Sequence, residues 1–203
     1  FILQTIKPNL AWKRIVAEVT ATESLCTDMV LLTLNPNHNF DLNQVQAGQS
    51  VLLNLKIEGV YQQRSYSIVN VTAKGEIQLG VKVQGVVSNA VQQLRIGDHV
   101  EISQPQGEFV LHRGQQAALM MASGSGITAI YSLLKQAIEQ NLNEIHVLYF
   151  NRAEVFHQEI LALAEQHPQL KYHFFNTSVQ KQHLDTALLE KLVPNFKQLQ
   201  SYA

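Results

Sequence analysis

Arg64-Ser65-Tyr66-Ser67 is the stretch around which the rest of this chain can be interpreted. It lies in a run that alternates as a β-strand does, so Arg64 and Tyr66 share one face while Ser65 and Ser67 share the other. A guanidinium can pair with a pyrophosphate, a phenol ring can stack on an isoalloxazine, and a hydroxyl can hydrogen-bond a ring nitrogen. The stretch therefore predicts a strand that binds a flavin nucleotide. The alternative is that Tyr66 fills a barrel core while Arg64 reaches the surface and the serines are incidental.

The composition is that of a globular protein with one large domain or two small ones: 203 residues, 46% hydrophobic and 15% charged. The formal charge is −1 and the sequence has no cluster of Lys and Arg, so it lacks the basic surface expected of a nucleic-acid-binding protein. No run is apolar enough to cross a bilayer and no signal-peptide pattern opens the chain, so we expect a cytoplasmic location, with membrane contact only through a partner. Cys26 is the only cysteine and the eight histidines lack metal-ligand spacing, so we predict no metal site.

The first half of the chain, from residue 12 to about 111, shows the pattern of strands and turns. Predicted strands cover residues 13–20, 28–34, 50–57, the strand of Arg64, 76–84, 100–103 and 109–111. Short strands at this spacing, with little helix between them, predict an antiparallel β-barrel.

A second informative stretch, Gly85-Val86-Val87-Ser88, follows one of these strands. It leads into a short helix predicted over residues 89–94 with Ser88 as its N-cap. Free amides at a helix N-terminus attract an anion, so this turn is a candidate for the second half of a pyrophosphate whose first half pairs with Arg64. The alternative is an ordinary capped turn.

The second half of the chain alternates buried strands with helices. Strands are predicted over 117–122, 145–150 and 172–175, and helices over 127–141, 155–164 and 184–192. This order predicts a doubly wound α/β domain with a parallel sheet. We place the domain boundary so that the barrel spans residues 1–113 and the α/β domain spans residues 114–203.

The first strand of this α/β domain runs into Ser123-Gly124-Ser125-Gly126 and then into a helix. Such a unit binds a nucleotide phosphate because the glycines let the backbone approach and the helix dipole favours an anion. Ala129 stands where a full Gly-x-Gly-x-x-Gly fingerprint has its third glycine, and a tight structural turn is the alternative. Asn151-Arg152, just past the second strand, lies where an adenine ribose or its 2′-phosphate would rest, or else Arg152 is a solvated residue at a helix start.

These pieces in this order resemble the ferredoxin–NADP reductase family of flavoproteins. Residues 64–67 resemble its Arg-x-Tyr-Ser flavin motif, residues 85–88 its Gly-x-x-Ser pyrophosphate motif, and residues 119–128 its Gly-Ser-Gly-Ile-Thr nucleotide loop. The likeness covers nearly the whole chain. It implies an FAD-binding barrel followed by an NAD(P)-binding α/β domain, with the reaction at their junction.

The resemblance also implies roles for individual residues. Arg64 would bind the FAD pyrophosphate, and the catalytic candidates are Tyr66, which would stack on the isoalloxazine, and Ser67, which would hydrogen-bond near flavin N5. The other FAD-binding candidates are Ile68, Val69, Val83, Gly85, Val86, Val87 and Ser88. The candidates for the nicotinamide nucleotide are Gly124, Ser125, Gly126, Thr128, Asn151 and Arg152.

Two positions depart from the family's pattern. Ala129 stands where the family usually has proline, which changes only a preset φ at the helix start. The residues Gln200-Ser201-Tyr202-Ala203 resemble the start of the strand that leads, in the family, into Cys-Gly-Pro. We therefore expect a truncation or a longer parent protein, and any [2Fe–2S] cluster would belong to a missing C-terminal domain or to a partner.

The function implied is that of an NAD(P)H-dependent, FAD-containing reductase. It would pass electrons to a ferredoxin-type iron–sulfur protein or a haem partner that serves an oxygenase or desaturase. One alternative is an NAD(P)H-dependent free-flavin reductase, in which flavin leaves as a product. Another is a non-catalytic nucleotide-binding electron-transfer subunit. The sequence leaves the choice between NADH and NADPH open.

Overall fold

The computed structural model describes residues 13–180 and 183–203. The chain forms two compact units, divided between Val110 and Leu111. Residues 1–12, which begin the predicted first domain, lie outside the described residues. In the described ranges, no helix combines the length and the apolar character needed to cross a membrane.

Six strands of the first unit close into an antiparallel barrel, as predicted. They are β1 (Ile15–Cys26), β2 (Met29–Pro36), β3 (Ser50–Ile57), β4 (Val60–Val71), β5 (Ile77–Lys82) and β6 (His99–Ile102). Around the barrel they follow the order β1-β2-β5-β4-β3-β6. Alternate side chains of β1 and β3 are buried, including Ala17, Val19, Val51 and Leu53, so the period-2 pattern in the sequence fills the barrel core.

The seam of the barrel, where β1 meets β6, carries a charged pair. Arg14 Nε donates to Glu101 Oε1 at 2.8 Å, and a second guanidinium nitrogen contacts the other carboxylate oxygen. This hydrogen bonding to Arg14 lowers the pKa of the Glu101 carboxyl. A bidentate pair of this kind fixes the register of the two strands that close the barrel.

The strand predicted over residues 109–111 is wrong. β6 already pairs with β1 on one side and with β3 on the other, so the closed barrel offers no free edge for a further strand. In the described segment 103–116, which follows β6, the strand-like pairing is an isolated bridge between Ser50 and Gln106.

The second unit is a parallel sheet with helical crossovers, which confirms the predicted fold class. Its strands are β7 (Ala117–Ser123), β8 (Glu144–Asn151), β9 (Leu170–Asn176) and β10 (Gln200–Tyr202), and its longer helices are α2 (Ile127–Glu139) and α3 (His157–Gln166). The sheet order is β10-β7-β8-β9. Because β8 and β9 follow on one side of β7 while β10 returns to the other, the strand order reverses beside β7.

Two helices of this unit begin later than predicted, for different reasons. The helix predicted from residue 155 begins at His157, because Phe156 takes a positive φ of 57° that a helix cannot contain. The helix predicted from residue 184 is α4 (Thr186–Leu192), and the Asp185 carboxylate accepts the Leu188 N–H at 2.8 Å as its N-cap.

Candidate functional site

Arg64 presents an exposed guanidinium from β4. The register of β3 and β4 sets Arg64 opposite Leu53 and Tyr66 opposite Val51. Arg64 is nevertheless exposed, and its Nη1 donates to the carbonyl of Gln63 at 2.7 Å. Within the described residues its side chain forms no ion pair. Its remaining donors can therefore bind an external anion.

Tyr66 and Ser67 differ from Arg64 in burial. Tyr66 packs half-buried against the barrel core, and this burial raises the pKa of its phenol, with Arg64 acting in the opposite direction. The phenol is therefore neutral at physiological pH. The Ser67 hydroxyl forms no hydrogen bond to another described residue, whereas Ser65 donates to the Ser50 hydroxyl at 2.8 Å. Ser67 thus keeps a donor and an acceptor for a ligand.

Ile68, Val69 and Val83 lie on the core side of the same region. Ile68 and Val69 are buried, and Val83 packs partly buried against the core. The Ile68 N–H donates to the Gln49 carbonyl at 2.8 Å, so this amide is already paired within the protein. The pairing register shifts between Ile68 and Asn70, which places a β-bulge at Val69 and bends β4 beside the candidate stretch.

The turn after β5 begins its helix earlier than predicted. This helix, α1 (Val86–Gln92), has Gly85 as its N-cap, so the predicted start at residue 89 and the predicted N-cap Ser88 are wrong. Ser88 lies in the first helical turn instead. Its Oγ accepts the N–H groups of Gln84 at 2.9 Å and Gly85 at 3.0 Å, and it donates to the Gly85 carbonyl at 3.1 Å. The hydroxyl therefore shapes the turn through its own backbone.

Gly85 occupies an open position in this turn. Its φ of −162° is extended backbone that any residue adopts, and nothing lies within 4 Å of the place where a Cβ would stand. The first helical bond runs from the Asn89 N–H to the Gly85 carbonyl at 2.9 Å, so the amides of Val86 and Val87 precede the helical ladder. Val86 is exposed and Val87 is buried. The turn thus offers open backbone at a helix start.

The predicted strand–Gly-Ser-Gly–helix unit is present in the second unit. A single 3-10 turn, Gly124–Gly126, joins β7 to α2. Gly124 has a φ of 54°, which favours glycine. The buried Thr128 donates its hydroxyl to the Ser125 carbonyl at 2.9 Å. The loop lies at the carboxyl end of the strand beside which the sheet order reverses, where open α/β sheets bind ligands.

Asn151 and Arg152 lie at the carboxyl end of β8, next to that loop in the sheet. Asn151 Nδ2 donates to the Tyr149 hydroxyl at 2.6 Å, and Asn151 Oδ1 accepts the Arg152 N–H at 2.9 Å. The Arg152 side chain is exposed and takes part in no ion pair among residues 13–180 and 183–203. Both ends of the Asn151 amide are therefore engaged, and the Arg152 guanidinium keeps its donors.

A cavity of about 350 Å³ opens at the same edge of the sheet. Its lining residues are Met121, Ala122, Ser123, Phe150, Thr177, His183, Leu184 and Ala203. None of these is among the individual binding candidates predicted from the sequence, although residues 121–123 lie in the stretch that resembles a nucleotide loop. Each of them lies among the last three residues of a strand, follows a strand closely or precedes α4, so the rule that ligands bind at the carboxyl ends of parallel strands could have found them.

Two family models match the chain in succession. The Oxidoreductase FAD-binding domain matches residues 16–111, and the Oxidoreductase NAD-binding domain matches residues 120–200. The first match contains the barrel strands and the second contains the Gly-Ser-Gly loop with most of the parallel sheet. The chain therefore belongs to the oxidoreductases that combine an FAD-binding domain with an NAD-binding domain.

Known proteins with similar sequences include a flavohemoprotein and the reductase component of a monooxygenase. A flavohemoprotein from Pseudomonas putida is 30% identical over 155 residues, which are 73% of this chain and 39% of that protein. The reductase component of phenol 2-monooxygenase from a Pseudomonas strain is 33% identical over 136 residues, which are 63% of this chain and 38% of that protein. The chain thus spans less than two fifths of the length of these relatives.

A solved structure shows the same architecture. The cytochrome b5 reductase domain of Ulva prolifera nitrate reductase superposes with a TM-score of 0.69 at 25% sequence identity. The match covers 79% of this chain and 72% of that domain. Similarity in fold therefore extends over both units.

Proposed function

We propose that the barrel binds FAD, that the α/β unit takes NAD(P)H, and that the protein transfers reducing equivalents from NAD(P)H to a redox partner. The observation that carries this proposal is the exposed Arg64 guanidinium on the same strand as the half-buried Tyr66 ring and the Ser67 hydroxyl, which has no partner among the described residues. When bound, FAD supplies the chemistry of accepting a hydride and delivering its two electrons onward.

The residues of the barrel match the chemistry of FAD. Arg64 has donors left for a pyrophosphate, and a neutral Tyr66 ring suits stacking on an isoalloxazine. Ser67 offers a free hydroxyl for a ring nitrogen. Gly85 leaves room for a phosphate beside open backbone at the start of α1. In this proposal Ser88 holds the turn in shape, while Val69 and Val83 support the strand ends from the core.

The residues of the α/β unit match a nicotinamide nucleotide. The Gly124–Gly126 turn and Thr128 lie at the carboxyl end of β7, where the sheet order reverses. The cavity beside them and the exposed Arg152 follow the neighbouring strand ends. We place the nucleotide across this edge, with Asn151 and Arg152 towards its adenosine end.

The partner is proposed by chemical class. The relatives described above include a flavohemoprotein and the reductase component of a monooxygenase. A haem protein, or a ferredoxin-type iron–sulfur protein that serves an oxygenase or desaturase, would accept the electrons. Such acceptors take one electron at a time, and FAD held by the barrel would supply the change from two-electron to one-electron chemistry.

The test is the visible absorption of the chain reconstituted with FAD, followed by anaerobic addition of NADH or NADPH. Retention of flavin through gel filtration and bleaching by either nucleotide support the proposal, and turnover with ferricyanide shows onward transfer. Flavin that dissociates after each turnover would instead identify a free-flavin reductase. Flavin that stays bound but is never bleached would identify a nucleotide-binding subunit without turnover.

Arg64→Ala should weaken FAD binding about ten- to hundredfold, because a charge-assisted pair with the pyrophosphate is lost. The free energy of unfolding without FAD should not change, since Arg64 is exposed. Arg95→Ala removes another exposed arginine of the same unit and is the matched control. FAD titration by fluorescence quenching measures both, and equal affinities for the two variants would contradict the role of Arg64.

Ser67→Ala should slow flavin reduction by NAD(P)H about tenfold while FAD stays bound, because a hydrogen bond at the reacting ring nitrogen is lost. Stopped-flow absorbance under anaerobic conditions measures the rate. Ser65→Ala is the control, since that hydroxyl is already bonded to Ser50. An unchanged reduction rate in Ser67→Ala would remove Ser67 from the catalytic residues.

A further inference from the structure

Ser67 lies near the end of the backbone pairing between β3 and β4. Ser50 stands opposite Ser67, but the N–H and the carbonyl of Ser50 both pair with Gln106 at 2.9 Å and therefore point away from β4. The next residue of β4, Ile68, donates its N–H to the carbonyl of Gln49 at 2.8 Å. The bond between Ile68 and Gln49 therefore ties β4 to the neighbouring segment directly after Ser67.

This backbone bond lies at the end of its ladder. β3 begins one residue after Gln49, and the β-bulge at Val69 bends β4 one residue after Ile68. Bonds at the end of a ladder open more readily than bonds inside it, because fewer neighbouring bonds must break. The bond beside Ser67 therefore depends on contacts from outside the ladder.

The Gln49 side chain supplies these contacts. Its Oε1 accepts the N–H of Gln46 at 2.9 Å, and its Nε2 donates to the carbonyl of Gly107 at 3.3 Å. One amide group thus joins the turn before β3 to the loop after β6. With its carbonyl bonded to Ile68, Gln49 connects three separate segments of the barrel.

We infer that Gln49 is a positioning residue, whose side chain fixes the end of the β3–β4 pairing and thereby holds the Ser67 hydroxyl in place for the flavin ring. The inference rests on the proposed function, in which Ser67 bonds a ring nitrogen of FAD. Reactive groups keep a productive geometry when further hydrogen bonds lock the segment that carries them. A displacement of about 1 Å can slow a reaction about a hundredfold, so Gln49 can affect the rate without touching the flavin.

Amide hydrogen exchange on the whole chain without FAD tests the structural part of the inference. Gln49→Ala should speed exchange of the Ile68 N–H about tenfold, because the terminal bond then opens without its anchor. Gln46→Ala is the matched control, since the exposed Gln46 side chain forms no hydrogen bond to a described residue and the variant keeps the N–H that Gln49 accepts.

Two results of the exchange experiment would overturn the inference. The first is exchange of the Ile68 N–H at the wild-type rate in Gln49→Ala. The second is an acceleration of the same size throughout β2, which would show that Gln49→Ala lowers the stability of the whole barrel instead of loosening the segment beside Ser67.

Stopped-flow reduction of bound FAD by saturating NAD(P)H tests the functional part. Gln49→Ala should slow reduction about three- to tenfold at unchanged FAD affinity, while Gln46→Ala should keep the wild-type rate. The double variant of Gln49→Ala and Ser67→Ala should be no slower than Ser67→Ala alone, because both changes act on the same hydroxyl. Rate losses that multiply in the double variant would overturn the inference.

The same kinetics separate this inference from the proposed function. A wild-type rate in Gln49→Ala beside a slow Ser67→Ala would overturn the role of Gln49 and leave the reductase proposal standing. A wild-type rate in Ser67→Ala would overturn the roles of both residues. FAD that neither nucleotide reduces in the wild-type chain would overturn the reductase proposal itself, and with it the functional role of Gln49.

Discussion

The two glycine-containing turns of this protein look alike in sequence but differ in what the fold requires of them. Each leads from a strand into a helix and places a hydroxyl residue in the first helical turn. In the barrel, Gly85 has ordinary extended backbone, and nothing lies within 4 Å of the place where a Cβ would stand. In the α/β unit, Gly124 has a positive φ of 54°. The backbone conformation therefore favours glycine at residue 124 but not at residue 85.

The hydroxyl residues of the two turns differ in the opposite direction, since the barrel turn depends more on its hydroxyl than the α/β turn does. Ser88 accepts two backbone N–H groups and donates to a carbonyl, so the barrel turn depends on its side chain. Thr128 makes a single bond, to the Ser125 carbonyl. A residue that the fold does not need, such as Gly85, is better evidence for a ligand than one that the backbone itself requires. Gly85 and Gly126 meet this criterion, since nothing lies within 4 Å of a Cβ at either position.

The largest expected effect in this comparison is on stability, from Ser88→Ala. Removing the hydroxyl leaves the N–H groups of Gln84 and Gly85 without their partner, which should lower the free energy of unfolding by about 2 kcal/mol. Thr128→Val is the matched control, and it should cost about 1 kcal/mol because only one bond is lost. Urea unfolding of the FAD-free chain, followed by circular dichroism, measures both. An equal loss of free energy of unfolding in the two variants would show that the barrel turn depends no more on its hydroxyl than the α/β turn does.

The next largest effect comes from replacing the two glycines, which distinguishes a loss of stability from a loss of ligand binding. Gly124→Ala should lower stability by about 1 kcal/mol, because alanine is strained at a positive φ. Gly85→Ala should leave stability unchanged and weaken FAD binding several-fold, because a methyl group intrudes where a phosphate would approach backbone. The measurements are thermal unfolding without FAD and FAD titration. If Gly85→Ala kept full FAD affinity, the open space at this turn would have no role in binding.

Local periodicity in the sequence predicts most of this fold but not how its parts close on one another. The alternation of apolar and polar residues that includes Ile15, Ala17 and Val19 predicts β1. A strand buried on one face shows this pattern within a few neighbouring residues, so it can be recognised from the local sequence. Residues 109–111 carry the same signal and form no strand, because both edges of β6 are already paired. The strands that pair with β6 lie far from residues 109–111 in the sequence, so no local pattern shows that both edges of β6 are occupied.

The candidate site, like the fold, could be predicted from the sequence only in part. The residue types at 64–67, 85–88 and 124–128 indicate nucleotide chemistry, yet they do not show which side chains remain unpaired after folding. Ser88 was predicted to be an N-cap, but the helix starts at Val86 because the serine hydroxyl bonds back to Gly85. Phe150 and Leu184 were missed, because they come together only when β8 and the segment before α4 meet at one edge of the sheet.

The smallest effect concerns the two arginines Arg14 and Arg64. Arg14 is paired with a carboxylate, whereas Arg64 forms no ion pair with a described residue. Hydrogen bonding to Arg14 lowers the pKa of Glu101. The pair therefore stabilises the fold above the ordinary pKa of a glutamate, about 4.3, and this contribution is lost as the pH falls through the lower pKa of the folded state. Because the side chains of Arg14 and Glu101 are 40% and 26% exposed, solvent screening reduces the contribution to a few tenths of a kcal/mol.

Glu101→Gln should accordingly lower the free energy of unfolding slightly at pH 7, and the difference from wild type should shrink as the pH falls below about 4. Glu108→Gln, at an exposed glutamate of the same unit, should match wild type throughout. Urea unfolding of the FAD-free chain between pH 3 and pH 8 measures the three curves. A difference between Glu101→Gln and wild type that grew on acidification would mean that the Arg14 pair does not stabilise the barrel seam. Arg14 could then no longer serve as the example of a structural arginine with which Arg64, which has no ion pair among the described residues, is compared.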